Sequence, residues 1–134
     1  MIVDASVALK WLIPEEGSGQ ALQLLARNDL RAPGLFDQEI AQVLTKKVRQ
    51  RLLEASTALR LWQDIALAPV ERQPWEPYGD GAFALSLRLG ATFPDCVYLA
   101  MAVACDDRMI TADARFVRAA ERDPGLRRHI VSLP

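Results

Sequence analysis

Histidine, cysteine and lysine are scarce in this 134-residue chain, and each scarcity removes a class of chemistry. The only histidine, His129, cannot build a histidine-rich metal site, and no Ser-His-Asp triad is read around it. A surface or C-terminal packing role suits it better. The two cysteines, Cys96 and Cys105, lie nine positions apart (105 − 96) in one expected helix. At about 100° and 1.5 Å per residue they fall on opposite faces, roughly 13 Å apart, too far for a disulfide. Unbridged thiols suit a cytoplasmic protein. Neither charge dominates, with 16 basic against 17 acidic residues, so contact with nucleic acid must use a local patch rather than a global field. Met1 to Lys10 carries no basic leader, and the longest apolar run, Cys96 to Cys105, is ten residues where a membrane span needs roughly 20. The expectation is a cytoplasmic protein that does not cross a membrane.

Apolar residues are plentiful, at 51%, in a length that suits one domain over residues 1–134. Met1-Ile2-Val3-Asp4 is a short apolar run closed by an acid, and Ala5 to Ile13, ending at Pro14, reads as a helix. Gly17-Ser18-Gly19 follows no strand, so it reads as a loop rather than a phosphate cradle, and Gln20 to Arg27 as a second helix. Leu30-Arg31-Ala32 before Pro33 suits a strand. Phe36, Ile40, Val43 and Leu44 then recur at amphipathic spacing, with Glu39 at the border of the buried stripe. Leu59, Trp62, Ile65 and Ala66 suggest another helix closed by Pro69, and Trp11 and Trp62 on apolar faces read as core.

Val70 belongs to a third strand, and Asp80 caps a helix through Phe83, Ala84 and Leu87 that Gly90 stops. Asp95 to Ala104 is apolar nearly all round, as in a central buried helix. Met109-Ile110-Thr111 is a fourth strand, Asp113 opens a helix, and Ile130-Val131 is a fifth strand. Such alternation implies an α/β fold with a mainly parallel sheet covered on both faces.

Asp4 closes the first strand, Asp95 opens the buried helix, and Asp113 lies two residues past the fourth strand. Ligands of open α/β sheets bind outside the carboxyl ends of the strands, where Asp4 and Asp113 belong. An aspartate before a helix is also a favoured cap, and Glu39 taken alone is an ordinary rim residue. The intervals of 35 (39 − 4), 56 (95 − 39) and 18 (113 − 95) residues obey no local rule, so only a fold brings the four together. Gathered at about 4 Å, each ionised pair would repel by on the order of 4 kcal/mol at an effective dielectric near 20, which protonation or a cation must relieve. An all-oxygen cluster suits Mg²⁺ or Mn²⁺ rather than zinc.

Four stretches carry a resemblance: Val3-Asp4-Ala5-Ser6-Val7, Glu39-Ile40-Ala41-Gln42-Val43-Leu44, Asp95-Cys96-Val97-Tyr98-Leu99-Ala100-Met101-Ala102 and Thr111-Ala112-Asp113-Ala114-Arg115-Phe116. In this order they resemble the acidic motifs of PIN-domain ribonucleases, and Ala8-Leu9-Lys10-Trp11 with Pro14-Glu15-Glu16 is similar to the VapC-like toxins among them. Gln42, where the family often has Asn, and Cys96, where it usually has a small residue, are departures that remove no ligand. The resemblance implies a three-layer α/β/α fold with a five-stranded sheet. It also implies that Asp4, Glu39, Asp95 and Asp113 bind Mg²⁺ or Mn²⁺ and hydrolyse RNA, leaving a 5′-phosphate and a 3′-hydroxyl. Ser6 and Thr111 become the hydroxyls that orient carboxylates or waters, against the alternative of local turn bonds. A homodimer and a cognate antitoxin that covers the acidic groove are further implications.

RNA phosphates could meet Lys46, Lys47, Arg49 and Arg51 after the Glu39 helix, or Arg115, Arg118 and Arg122 on one helical face; solvated helix faces are the bland alternative. A phosphoacceptor receiver domain is disfavoured, because it needs a lysine near the fifth strand and none follows Lys47. A catalytically silent PIN-like binding module and a housekeeping RNA-processing nuclease share the motifs and stay open.

Overall fold

The computed structural model describes residues 1–134. Ile2–Val3 (β1) leads through Ala5–Leu12 (α1) and Ser18–Gln23 (α2) to Arg31–Pro33 (β2), then through Leu35–Arg49 (α3) and Ala55–Ala66 (α4) to Glu71–Gln73 (β3). Gly79–Leu89 (α5) and Phe93–Ala104 (α6) precede Met109–Thr111 (β4), and Ala114–Glu121 (α7) precedes Ile130–Ser132 (β5). All pairings are parallel and the strand order is β3-β2-β1-β4-β5. From β1 the chain first builds outward through β2 and β3, then returns to add β4 and β5 on the other side. The order therefore reverses between β1 and β4, and a crevice at the carboxyl ends follows from that topology.

Ile2 and Val3 are wholly buried, as a central strand covered on both faces requires. Helices α1 to α4 pack among themselves, while α5 and α6 form a pair in which α6 reaches β1, β2 and β4. The result is a three-layer α/β fold. The run from Cys96 to Ala102 is buried throughout, as its apolar sequence predicts. Gly90 ends α5 at φ 67°, the left-handed conformation that glycine adopts without steric cost. No single helix is long and apolar enough to cross a membrane.

Arg72 joins three elements. Its guanidinium donates to the carbonyls of Ile65 (2.7 Å), Val70 (2.8 Å) and Ala68 (3.3 Å), pairs with Asp37 at 3.1 Å and lies 5.3 Å from the centroid of the Phe36 ring. One side chain thus satisfies carbonyls at and beyond the end of α4, where helical partners run out, and ties them to α3.

Several local expectations are corrected. Helix α5 starts at Gly79 with Tyr78 before it, so Asp80 sits in the first turn instead of capping it. The second helix begins earlier than read, at Ser18, and ends in a 3-10 turn at Leu24–Ala26. Trp62 is 41% exposed rather than core, because α4 turns Leu61 and Ile65 inward at i, i+4 spacing while Leu59 and Trp62 face an apolar groove against α3. Trp11 is packed against the core, its indole donating to the Ala21 carbonyl at 2.7 Å. His129 is a packing residue: it is buried, with Nδ1 2.8 Å from the Asp107 carbonyl oxygen and Nε2 accepting from Arg128 at 3.1 Å. Both ring nitrogens are engaged, so it offers no free imidazole.

Candidate active site

Asp4 follows β1 directly, with its amide continuing the sheet ladder to the Ile110 carbonyl at 3.0 Å. It precedes α1 but makes no side-chain cap. Instead its buried carboxylate accepts at Oδ2 from Ser6 Oγ (2.5 Å) and from Thr111 Oγ1 (2.7 Å). Those hydroxyls are themselves held, because Ser6 Oγ accepts from the Ala112 amide at 3.0 Å and Thr111 Oγ1 from the Asp113 amide at 3.1 Å. A hydroxyl has one proton to give, and both give it to the same oxygen. Oδ1 is therefore the oxygen of Asp4 that is left for a ligand.

The other acids arrive by different routes. Asp113 does cap, its Oδ1 accepting from the amides of Arg115 (2.9 Å) and Phe116 (3.1 Å) at the start of α7. Asp95 lies in the first turn of α6, where Thr92 is the cap residue and accepts weakly from the Asp95 amide at 3.4 Å. Glu39 projects from α3 beside the buried stripe of Phe36, Ile40 and Leu44. Of three aspartates that could have been mere helix caps, only Asp113 acts as one.

Electrostatics links three of the acids, and Asp113 acts on one of them. Burial pushes the Asp4 carboxyl up to about 6 against the lowering pull of the Ser6 and Thr111 hydroxyls, and Asp95 adds to the rise. Burial pushes Glu39 up to about 7, with Tyr98 opposing and Asp4 and Asp95 adding. Asp95 is raised by burial first, with Thr92 opposing and Asp113 adding. Asp4, Glu39 and Asp95 thus each feel at least one other acid. They are neighbours rather than a closed cage: no three His, Cys, Asp or Glu side chains are gathered tightly enough to hold a metal ion as they stand.

Glu39 Oε1 and the Tyr98 hydroxyl are both buried without a hydrogen-bond partner, near each other but outside bonding geometry. An orphaned carboxylate oxygen among raised carboxyls is costly, and an all-oxygen donor set with such an orphan fits a hard divalent cation.

Asp95 and Asp113 open onto a cleft of about 550 Å³ that is lined also by the Gly90–Thr92 turn and by Arg115, Arg118 and Arg122 of the α7 segment. Lys46, Lys47, Arg49 and Arg51 do not line it. Lys46 stands seven residues past Glu39, about 10 Å along α3, and Arg49 borders the apolar α3–α4 groove. Cys96 is buried beside Asp95, and burial, reinforced by that acid, pushes its thiol up to about 11, which leaves it unreactive.

Two residues of the site escaped the sequence reading although signals for them exist. Thr92 stands three before Asp95 in the S/T-x-x-D/E pattern of a capping box. Tyr98 stands three after Asp95 and so shares its helical face.

This topology and these motifs define the class. The sequence matches the PIN domain family over residues 1–122, and the chain belongs to that family. Among its relatives is the VapC ribonuclease Mb0985 of Mycobacterium bovis, 35% identical over 118 residues that cover 86% of this chain and 87% of that protein. Ribonuclease VapC3 of Pyrobaculum aerophilum is 34% identical over 131 residues, covering 94% and 96%. The fold is also similar to that of a chain in a toxin-antitoxin complex from Klebsiella pneumoniae, with a TM-score of 0.66 at 16% identity over 99% of this chain and 97% of that one. A chain of VapBC2 from Rickettsia felis bound to a DNA fragment from their promoter has the same TM-score at 13% identity, over 99% and 98%.

Proposed function

We propose that this chain is a divalent-metal-dependent endoribonuclease and the toxin of a toxin–antitoxin pair, with Asp4, Glu39, Asp95 and Asp113 as its metal-binding and catalytic residues. The observation that supports the reading best is the mutual influence of Asp4, Glu39 and Asp95, with Asp113 acting on Asp95, in a sheet whose strand order reverses between β1 and β4. Relatives of matching length that are named VapC ribonucleases support it.

Mg²⁺ or Mn²⁺, when bound, would supply a more acidic water and stabilise charge on the phosphate. Ser6 and Thr111 hold Oδ2 of Asp4 and thereby leave Oδ1 for the ion. Asp95 and Asp113 line the mouth through which a phosphodiester would enter. Glu39, with its carboxyl near 7, is suited either to bind the ion or to take a proton from the attacking water at neutral pH. Attack by water on the phosphorus, with the 3′ oxygen leaving and taking up a proton, leaves a 5′-phosphate and a 3′-hydroxyl. We assign the chain to the cytoplasm, as a homodimer whose groove a cognate antitoxin covers; the exposed Phe83 and Leu87 on α5 offer apolar surface for such assembly.

Expression of the chain alone should arrest growth, and co-expression of the protein encoded by the adjacent gene should restore it. The purified chain should cleave RNA in Mn²⁺ and stop on chelation. Growth arrest by the Asp4→Asn form would point away from catalysis.

A further inference from the structure

The chemistry above leaves three cations of the cleft without a role. Arg115, Arg118 and Arg122 stand at i, i+3 and i+7, so they share one face of the α7 segment. Five other arginines are paired with carboxylates, Arg27 with Asp29, Arg31 with Asp107, Arg72 with Asp37, Arg88 with Asp123 and Arg128 with Asp106, and the arginines outside α7 that make no ion pair do not line this cleft. No ion pair engages the three of α7: of the two acids that flank Arg122, Asp123 is held at 2.9 Å by Arg88, and Glu121 makes no ion pair. The stripe therefore presents uncompensated charge to the same cleft that holds Asp95 and Asp113.

We infer that Arg118 and Arg122 form a subsite for two phosphates of one RNA strand leading away from the acid cluster, on the ribonuclease reading given above. Asp113 sits at the start of α7. At about 1.5 Å per residue Arg118 lies roughly 7.5 Å and Arg122 roughly 13.5 Å farther along it. With nucleotides about 3.4 Å apart along a stacked strand, that reach covers phosphates about two and four nucleotides from the acids. Gly90, Ala91 and Thr92 add only small side chains to the lining, which leaves room for bases beside the arginines. The cleft offers no aromatic face for stacking, since its one ring, Phe116, is buried. The subsite thus grips backbone and is indifferent to base identity, so it sets where the strand lies and not which sequence is cut.

The test is fluorescence anisotropy of the full chain with labelled single-stranded RNA in chelator, so that nothing is cleaved, over a range of salt concentration. Arg118→Ala with Arg122→Ala should weaken binding equally for RNAs of different sequence and lower the log–log salt slope by about 1.4, at roughly 0.7 per lost contact. Arg118→Lys with Arg122→Lys should restore the slope, which a merely structural role would not predict. Lys46→Ala with Lys47→Ala, outside the cleft, should change it less. An unchanged slope in the alanine pair overturns the inference and leaves the stripe to an acidic protein partner. A larger effect from the lysine pair overturns it too and moves the strand to α3. If the wild type binds no RNA and cuts none with metal restored, the ribonuclease reading itself falls.

Discussion

Thr111 donates its hydroxyl to Oδ2 of Asp4 at 2.7 Å, joining residues 107 positions apart at the point where β1 and β4 lie side by side. The bond stabilises a buried carboxylate and fixes its rotation, so on the proposed ribonuclease reading structure and chemistry would depend on the same proton.

Thr111→Val keeps the shape and removes that donor. The loss of a hydrogen bond to a buried, charged group should cost about 1.5–3 kcal/mol at neutral pH. Cleavage should fall by about 10- to 100-fold, the usual cost of releasing a metal ligand's partner, while Thr111→Ser stays near the wild type. Thermal melts and initial rates check both; a valine form with wild-type rates would detach Thr111 from the chemistry.

Stability without metal should fall as pH rises. Asp4, near 6, and Glu39, near 7, both exceed the ordinary carboxylate range because burial disfavours their charged forms. A raised folded-state pKa means the folded chain holds protons more tightly than the unfolded one. Its contribution is fully present below about pH 4 and is lost as pH rises through 6 to 7. Denaturation midpoints of the metal-free protein should therefore decline from pH 5 to pH 8. Mn²⁺ should offset the loss, by roughly 2.7 kcal/mol at a hundredfold excess over Kd. Asp95→Asn removes one repelling charge, so it should abolish cleavage, melt higher than the metal-free wild type at pH 8 and gain less from Mn²⁺. A flat profile, or no response to metal, would mean that the four carboxylates do not share a site.

Arg72→Ala should be the more damaging change for the fold, at about 2–4 kcal/mol, since it strands the carbonyls of Ile65 and Val70 and leaves Asp37 unpaired. Arg72→Lys should recover little, because an ammonium cannot reproduce the guanidinium fork. Chemical denaturation decides it, and a loss below about 0.5 kcal/mol, typical of surface sites, would show that the clamp is dispensable.

Local sequence was enough for much of this protein. The strand runs around Ile2-Val3 and Met109-Thr111, the all-apolar α6 and the Gly90 stop depend on composition and spacing within a few residues. A chain carries that information wherever it folds, so each was legible before any coordinates. The four acids stand out as a set only through the order of their motifs, and nothing within the intervals between them says how close they come.

What only the tertiary structure decided is which partner each residue finds. Trp62 and Ile65 stand three apart on α4, yet one faces a groove and the other the core, a difference made by the neighbouring helix. Asp4 could cap α1 by local rules and does not, because Ser6 and, from β4, Thr111 reach its carboxylate. Arg115 reaches the cleft while Lys46 and Lys47 do not, although both groups are basic helix residues. Hydrophobic periodicity is a property of one element, whereas burial, pairing and field are sums over every segment nearby. Only the order β3-β2-β1-β4-β5 brings those segments together.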